Sequence, residues 1–149
     1  WIEPSYEGAV IHRKTPFHFW SIAVSYQLFG ISEFSLRIPS VLAILLTCWF
    51  VFLLGRPLFG QKNACRAAII LATSIQLPLM GKIALTDASL LLFETLGVLS
   101  LLNYLYRPSW KWNLGLWFSM AMGILVKGPP IILLIGGMWL LLAIFHPKR

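Results

Sequence analysis

The 149-residue chain carries 58% hydrophobic and only 11% charged side chains, with a mean hydropathy of +0.79, whereas soluble domains have roughly 25% charged residues. Its net charge of +7 would point to nucleic acid in a soluble protein, but here the Lys and Arg residues punctuate apolar runs and form no single basic face. Nucleic-acid binding is therefore excluded in favour of an integral membrane protein that follows the positive-inside rule. The chain opens on Trp1 without an initiator Met and ends on His146-Pro147-Lys148-Arg149, so it is expected to belong to a longer protein with a membrane-inserting segment upstream. Cys48 and Cys65 have no C-x-x-C or His spacing and read as small apolar fillers.

In chain order, residues 1–37 form the most polar third, with Glu3, Glu7 and Glu33 beside Arg13, Lys14 and Arg37. This is the expected external loop. Thr15-Pro16 predicts a helix start, because Thr caps free N–H groups and Pro fits the first helical position. From there to Phe29, His18, Ser21 and Ser25 recur at spacings of three and four as a polar stripe on an aromatic and aliphatic helix, which Gly30 stops. Such a helix belongs in the membrane interface, anchored by Phe17, Phe19, Trp20 and Tyr26.

Residues 38–149 read as a transmembrane bundle with crossings at about 38–55, 67–80, 88–106, 114–126 and 131–145. The second is weaker, with Thr73, Ser74, Gln76 and Pro78 in its later half, which suits a helix facing a cavity or a protein neighbour. Five crossings place Arg56, Lys62, Arg66, Arg107, Lys111, Lys148 and Arg149 on one side with no acid. By the positive-inside rule that side is cytoplasmic, and the segment around Asp87 is periplasmic or lumenal. There is no Gly-rich phosphate loop. A transferase acting on the outer face would therefore need a lipid-carried donor.

The break Gly81-Lys82-Ile83-Ala84-Leu85-Thr86-Asp87 sets an acid and a base at the bilayer edge, and Val126-Lys127-Gly128-Pro129-Pro130 falls two apolar runs later, on the same side. Charges placed there are costly unless paired or wet, which marks them as functional candidates. Asp87 reads either as a cap of the third crossing or as a carboxylate that positions an acceptor, binds a metal or shares a proton. Glu94, two helical turns on, is either a cavity acid or hydrogen-bonded to a neighbouring helix. Lys14, Lys82 and Lys127 suit the phosphate of a lipid carrier, against a plain reading as snorkelling cations. Lys127 is the more specific, since Gly-Pro-Pro fixes the turn after it. Arg37 either grips phosphate or pins Ile38-Pro39 at the surface. His12 and His18 have no metal-ligand spacing.

The ordered elements Trp1-Ile2-x-Pro4, Tyr6-x-Gly8, Lys14-x-Pro16-Phe17-x-x-Trp20, Phe29-Gly30-x-Ser32-Glu33-Phe34-x-x-Arg37-x-Pro39-Ser40, Arg56-x-x-Phe59-Gly60, Ala84-Leu85-Thr86-Asp87 and Lys127-Gly128-Pro129 resemble the dolichyl-phosphate-mannose protein mannosyltransferase superfamily, and within it the aminoarabinose lipid A transferase type. The resemblance implies an all-α GT-C membrane bundle, with interfacial helices in its first external loop. It also implies inverting sugar transfer from a polyprenyl-phosphate donor to a lipid or protein acceptor, at the external face of a bacterial inner membrane. Asp87 would be the second acidic residue of the site, the leading one lying upstream of Trp1, and Lys14 and Lys127 would contact phosphate. Where family members read Lys-Pro-Pro-Leu, this chain has Lys14-Thr15-Pro16-Phe17. No cofactor is specified, and a divalent cation is left open. The competing class is a polytopic transporter or flippase for an anionic lipid or solute, with Lys82, Asp87, Glu94 and Lys127 lining a path.

Overall fold

The computed structural model describes residues 5–6, 9–10, 16–82 and 86–145. The chain begins with a two-residue antiparallel pair, β1 (Ser5–Tyr6) and β2 (Ala9–Val10), in which Ser5 faces Val10 and Tyr6 faces Ala9. Among the described residues all other regular structure is helical: α1 (Pro16–Phe29), α2 (Glu33–Phe59), α3 (Gln61–Thr73), α4 (Gln76–Lys82), α5 (Thr86–Tyr106), α6 (Trp110–Lys127) and α7 (Pro130–Phe145). The fold is thus the expected all-α bundle, with one minimal hairpin ahead of it.

Helix α1 starts at Pro16 and ends at Gly30, whose positive φ of 77° and N–H to Tyr26 O at 2.9 Å close the last turn. Helix α2 differs from the expected run at both ends. It begins at Glu33 because Ser32 caps it, accepting from the Ser35 N–H at 3.2 Å, and Pro39 sits inside it instead of marking its boundary. It continues through Gly55 and Pro57 to Phe59, and Gly60, where φ is 80°, caps it. At 27 residues it is about 40 Å long. The second apolar stretch is broken: Ser74 leaves the helical path with its N–H and hydroxyl both donating to Leu71 O, which separates α3 from the short α4.

Helices α2 and α5 are the two among the described residues that are long and apolar enough to cross a bilayer, and α7 is apolar but shorter. Helix α5 is the centre of the packing. One cluster joins it to α6 and α7 through Leu90, Phe93, Leu101, Val126, Ile131 and Ile135, and a second joins it to α2 and α4 through Ala43, Ala88 and Leu92, with Ile44 and Met80 packed alongside. Small residues let the backbones approach closely: a methyl added at Gly115 would fall 2.8 Å from Ser100 Oγ, and one at Gly97 would collide with Ile135 and Ser119. Asn103, 3% exposed, braces α5 to α2 by donating to Leu54 O at 2.9 Å and to Leu99 O of its own helix at 2.8 Å. The outward faces remain apolar, with Trp49, Trp117, Leu133 and Trp139 exposed. In water such a surface would associate, so it suits lipid or further helices.

Candidate active site

Two helix ends meet at one point. Asp87 lies in the first turn of α5 and Lys127 in the last turn of α6, and these helices pack side by side. Each charge complements its own helix end: the carboxylate faces the positive pole of α5, and the ammonium faces the negative pole of α6. Lys127 Nζ donates to Asp87 Oδ1, forming an ion pair with both partners partly exposed.

The chain after Lys127 is held by backbone geometry. Gly128 takes φ 82° and ψ −126° and donates its N–H to Ile124 O at 2.9 Å. Pro129 O then accepts from the N–H groups of Ile132 and Leu133, opening α7. A residue with a Cβ is strained at such a φ and ψ. Directly beneath, Val126 and Ile131 are 1% and 0% exposed, so the pair rests on a packed floor.

Glu94 lies two turns below Asp87 on the same helix, about 10 Å along its axis, within electrostatic reach of both Asp87 and Lys127. The first turn of α1 approaches the same region of α5. Phe17 packs edge-on against Phe93 with ring centroids 5.8 Å apart, and Phe93 in turn meets Phe118 of α6 at 6.3 Å. Between α1, α2 and α5 runs a groove of about 470 Å³, lined by Phe17, Trp20, Leu42, Ser89, Leu92 and Phe93 among others. It is almost entirely apolar, and Ser89 on its wall is two residues beyond Asp87.

The structure thus brings together Asp87 and Lys127, with Glu94 below them. Arg37 is engaged elsewhere, donating to Glu33 Oε2 at 3.1 Å across one turn of α2. Both of those side chains are well exposed, and such surface pairs are worth little. Lys82 ends α4, whose preceding residue Gly81 is buried against Val41 and Ile44 of α2. Lys14 and the Lys82 side chain lie outside the described residues. Among the described residues, no three His, Cys, Asp or Glu side chains converge in a way that could hold a metal. Sequence reading passed over Phe93 and Ser89, since apolar and hydroxyl residues inside apolar runs carry no signal until the helices are placed, and it marked Ser25 only as part of the polar stripe of α1.

The geometry defines a helical membrane bundle with a charged pair joining α5 to α6 and a separate apolar groove between α1, α2 and α5, whose wall includes Ser89 of the first turns of α5. The backbone matches ArnT from Cupriavidus metallidurans in the apo state, with a TM-score of 0.92 at 23% identity over 99% of this chain and 28% of that one. It matches the same protein bound to undecaprenyl phosphate with a TM-score of 0.82 at 18% identity, over 99% and 34% of the two chains. The fold is therefore the all-α GT-C membrane fold. Residues 13–149 match the dolichyl-phosphate-mannose-protein mannosyltransferase family, and the chain belongs to it. Similar proteins include an uncharacterized protein of Aquifex aeolicus, 29% identical over 94% of this chain and 32% of that one. Another is undecaprenyl phosphate-alpha-4-amino-4-deoxy-L-arabinose arabinosyl transferase 1 of Pseudomonas fluorescens, 26% identical over 86% of this chain and 23% of that one. The chain spans about a quarter to a third of the length of these relatives.

Proposed function

We propose that the protein containing this chain is a membrane glycosyltransferase that moves a sugar from a polyprenyl-phosphate carrier to a hydroxyl or phosphate acceptor. It acts at the periplasmic face of a bacterial inner membrane, with the helices after residue 38 crossing the bilayer as a multi-pass bundle. The observation that carries this reading is the Asp87–Lys127 pair at the start of α5, the helix that also walls the apolar groove through Ser89, Leu92 and Phe93. A lysine ammonium has three N–H donors. One is used by Asp87, which leaves two for the oxygens of a lipid phosphate, while Asp87 keeps its second oxygen for an acceptor hydroxyl. The groove suits the hydrocarbon part of the carrier.

The reaction is a single displacement. The acceptor oxygen attacks the anomeric carbon, the bond to the carrier phosphate breaks, and the phosphate leaves with its electron pair, so the anomeric configuration inverts. Asp87 orients the acceptor and receives its proton. Lys127 and Lys14 stabilise the charge that develops on the leaving phosphate. Lys82 and Arg37 are further phosphate contacts, and Arg37 can exchange its Glu33 partner because an exposed pair is weak. Glu94, two turns further along α5, is a second acid of this region.

The test is transfer from a radiolabelled polyprenyl-phosphate sugar by the full-length protein in proteoliposomes, alongside Lys14→Ala, Asp87→Asn and Lys127→Ala at matched folded protein. Each substitution is expected to lower turnover at least about 100-fold, as loss of a group acting on transition-state charge does. Lipid translocation without transfer from any donor, sensitive to Asp87, would instead establish a flippase.

A further inference from the structure

Pro39 lies inside α2, and a proline ring has no N–H to give. The carbonyl four residues earlier, that of Ser35, therefore has no helical partner. Ser25 of α1 supplies one: its Oγ donates to Ser35 O at 2.6 Å. Both serines are buried, at 5% and 0% exposure, where an unpaired carbonyl is costly. Ser35 is held in turn by its own hydroxyl, which lies 2.9 Å from Ser32 Oγ at the cap of α2. The second point of attachment of α1 is Phe17 on Phe93, eight residues or about 12 Å along the helix. Ser25, Pro39, Phe17 and Phe93 all line the apolar groove between α1, α2 and α5.

We propose that Ser25 is a positioning residue: its hydroxyl occupies the hydrogen-bond vacancy that Pro39 creates in α2, and so fixes α1 as the wall of the groove that receives the carrier. The second half of this statement rests on the transferase reading. The first half does not. A proline inside a membrane helix is usually answered by a neighbouring polar group, and here that group comes from the helix that precedes the crossing. The lock therefore couples the interfacial helix to the bundle through one hydroxyl.

Two readouts on the full-length protein test it. The first is thermal unfolding in detergent of wild type, Ser25→Ala, Pro39→Ala and the double variant. Ser25→Ala is expected to lower Tm by about 1 °C in the wild-type background, the shift that loss of a single hydrogen bond gives in a protein of several hundred residues. In the Pro39→Ala background, where the residue 39 N–H satisfies Ser35 O, the same change is expected to have almost no effect. An equal loss in both backgrounds overturns the lock. The second readout is transfer kinetics. Ser25→Ala is expected to raise the donor KM about fivefold with kcat little changed, and Ser25→Thr, which keeps the hydroxyl, is expected to restore it. Coupled Tm values with an unchanged donor KM overturn the positioning role. Coupled Tm values in a protein that transfers no sugar support the lock while refuting the transferase reading.

Discussion

The packing beneath the charged pair can be probed by one methyl group. Gly123 of α6 lies one turn before Lys127, and a methyl there would fall 3.0 Å from both Cβ and Cγ1 of Ile131, and closer still to its Cδ1. Ile131 is 0% exposed and follows Pro129-Pro130, so rotation of its side chain relieves only the Cδ1 overlap. The Cβ contact needs α7 to move. Overpacking of this kind costs about 1–3 kcal/mol, and Gly123→Ala is expected to destabilise the protein by about 2 kcal/mol. Ile131→Val removes the worst overlap at an intrinsic cost of about 1 kcal/mol, so the double variant is expected to lose about 1 kcal/mol less than the sum of the single changes. Denaturant-driven unfolding of the four proteins in mixed micelles measures this directly. A neutral Gly123→Ala, or strict additivity in the cycle, would refute the close approach of α6 and α7 that places Lys127.

Three further outcomes follow from the same geometry. Gly128→Ala forces a Cβ onto a backbone at φ 82° and ψ −126°; a strain of about 1–3 kcal/mol and a displaced Lys127 should reduce sugar transfer more than Gly136→Ala, where an added methyl meets nothing within 4 Å. Asn103→Leu breaks the brace to Leu54 O and is expected to cost about 0.6–1.7 kcal/mol in micellar unfolding, the range for hydrogen bonds between membrane helices. Thr47→Val is expected to cost less than about 1 kcal/mol, because the Thr47 hydroxyl bonds only Ala43 O of its own helix, at 2.7 Å.

Local signals in the sequence marked α1 well: Thr15-Pro16 predicted its start and Gly30 its end, and the helix runs Pro16–Phe29. Counting apolar runs put the two charged breaks at the same end of the bundle, but that Asp87 and Lys127 pair with each other appears only in the structure. The start of α2 was misread because Glu33 and Arg37 look like loop residues. Ser32 caps the helix and the two charges pair at i and i+4 across its first turns. A proline inside a membrane helix is tolerated where another group satisfies the carbonyl it frees, and for Pro39 the Ser25 hydroxyl, fourteen positions upstream, bonds Ser35 O. That relation, like the brace from Asn103 and the Phe17–Phe93 contact, depends on how helices cross, which no local pattern encodes. Arg37 shows the converse limit: its chemistry suits phosphate, but its described contact is to Glu33.

The central claim is that Lys127, held by Asp87, receives the phosphate of a lipid carrier. Equilibrium binding of polyprenyl phosphate and of the matching polyprenol to the full-length protein, read by tryptophan fluorescence in nanodiscs, tests it most directly. Wild type is expected to bind the phosphate at least about tenfold more tightly than the alcohol, the scale of one charge-assisted contact, and Lys127→Ala is expected to lose most of that preference. Equal affinity of wild type for both lipids, or a preference that survives Lys127→Ala unchanged, would contradict the account.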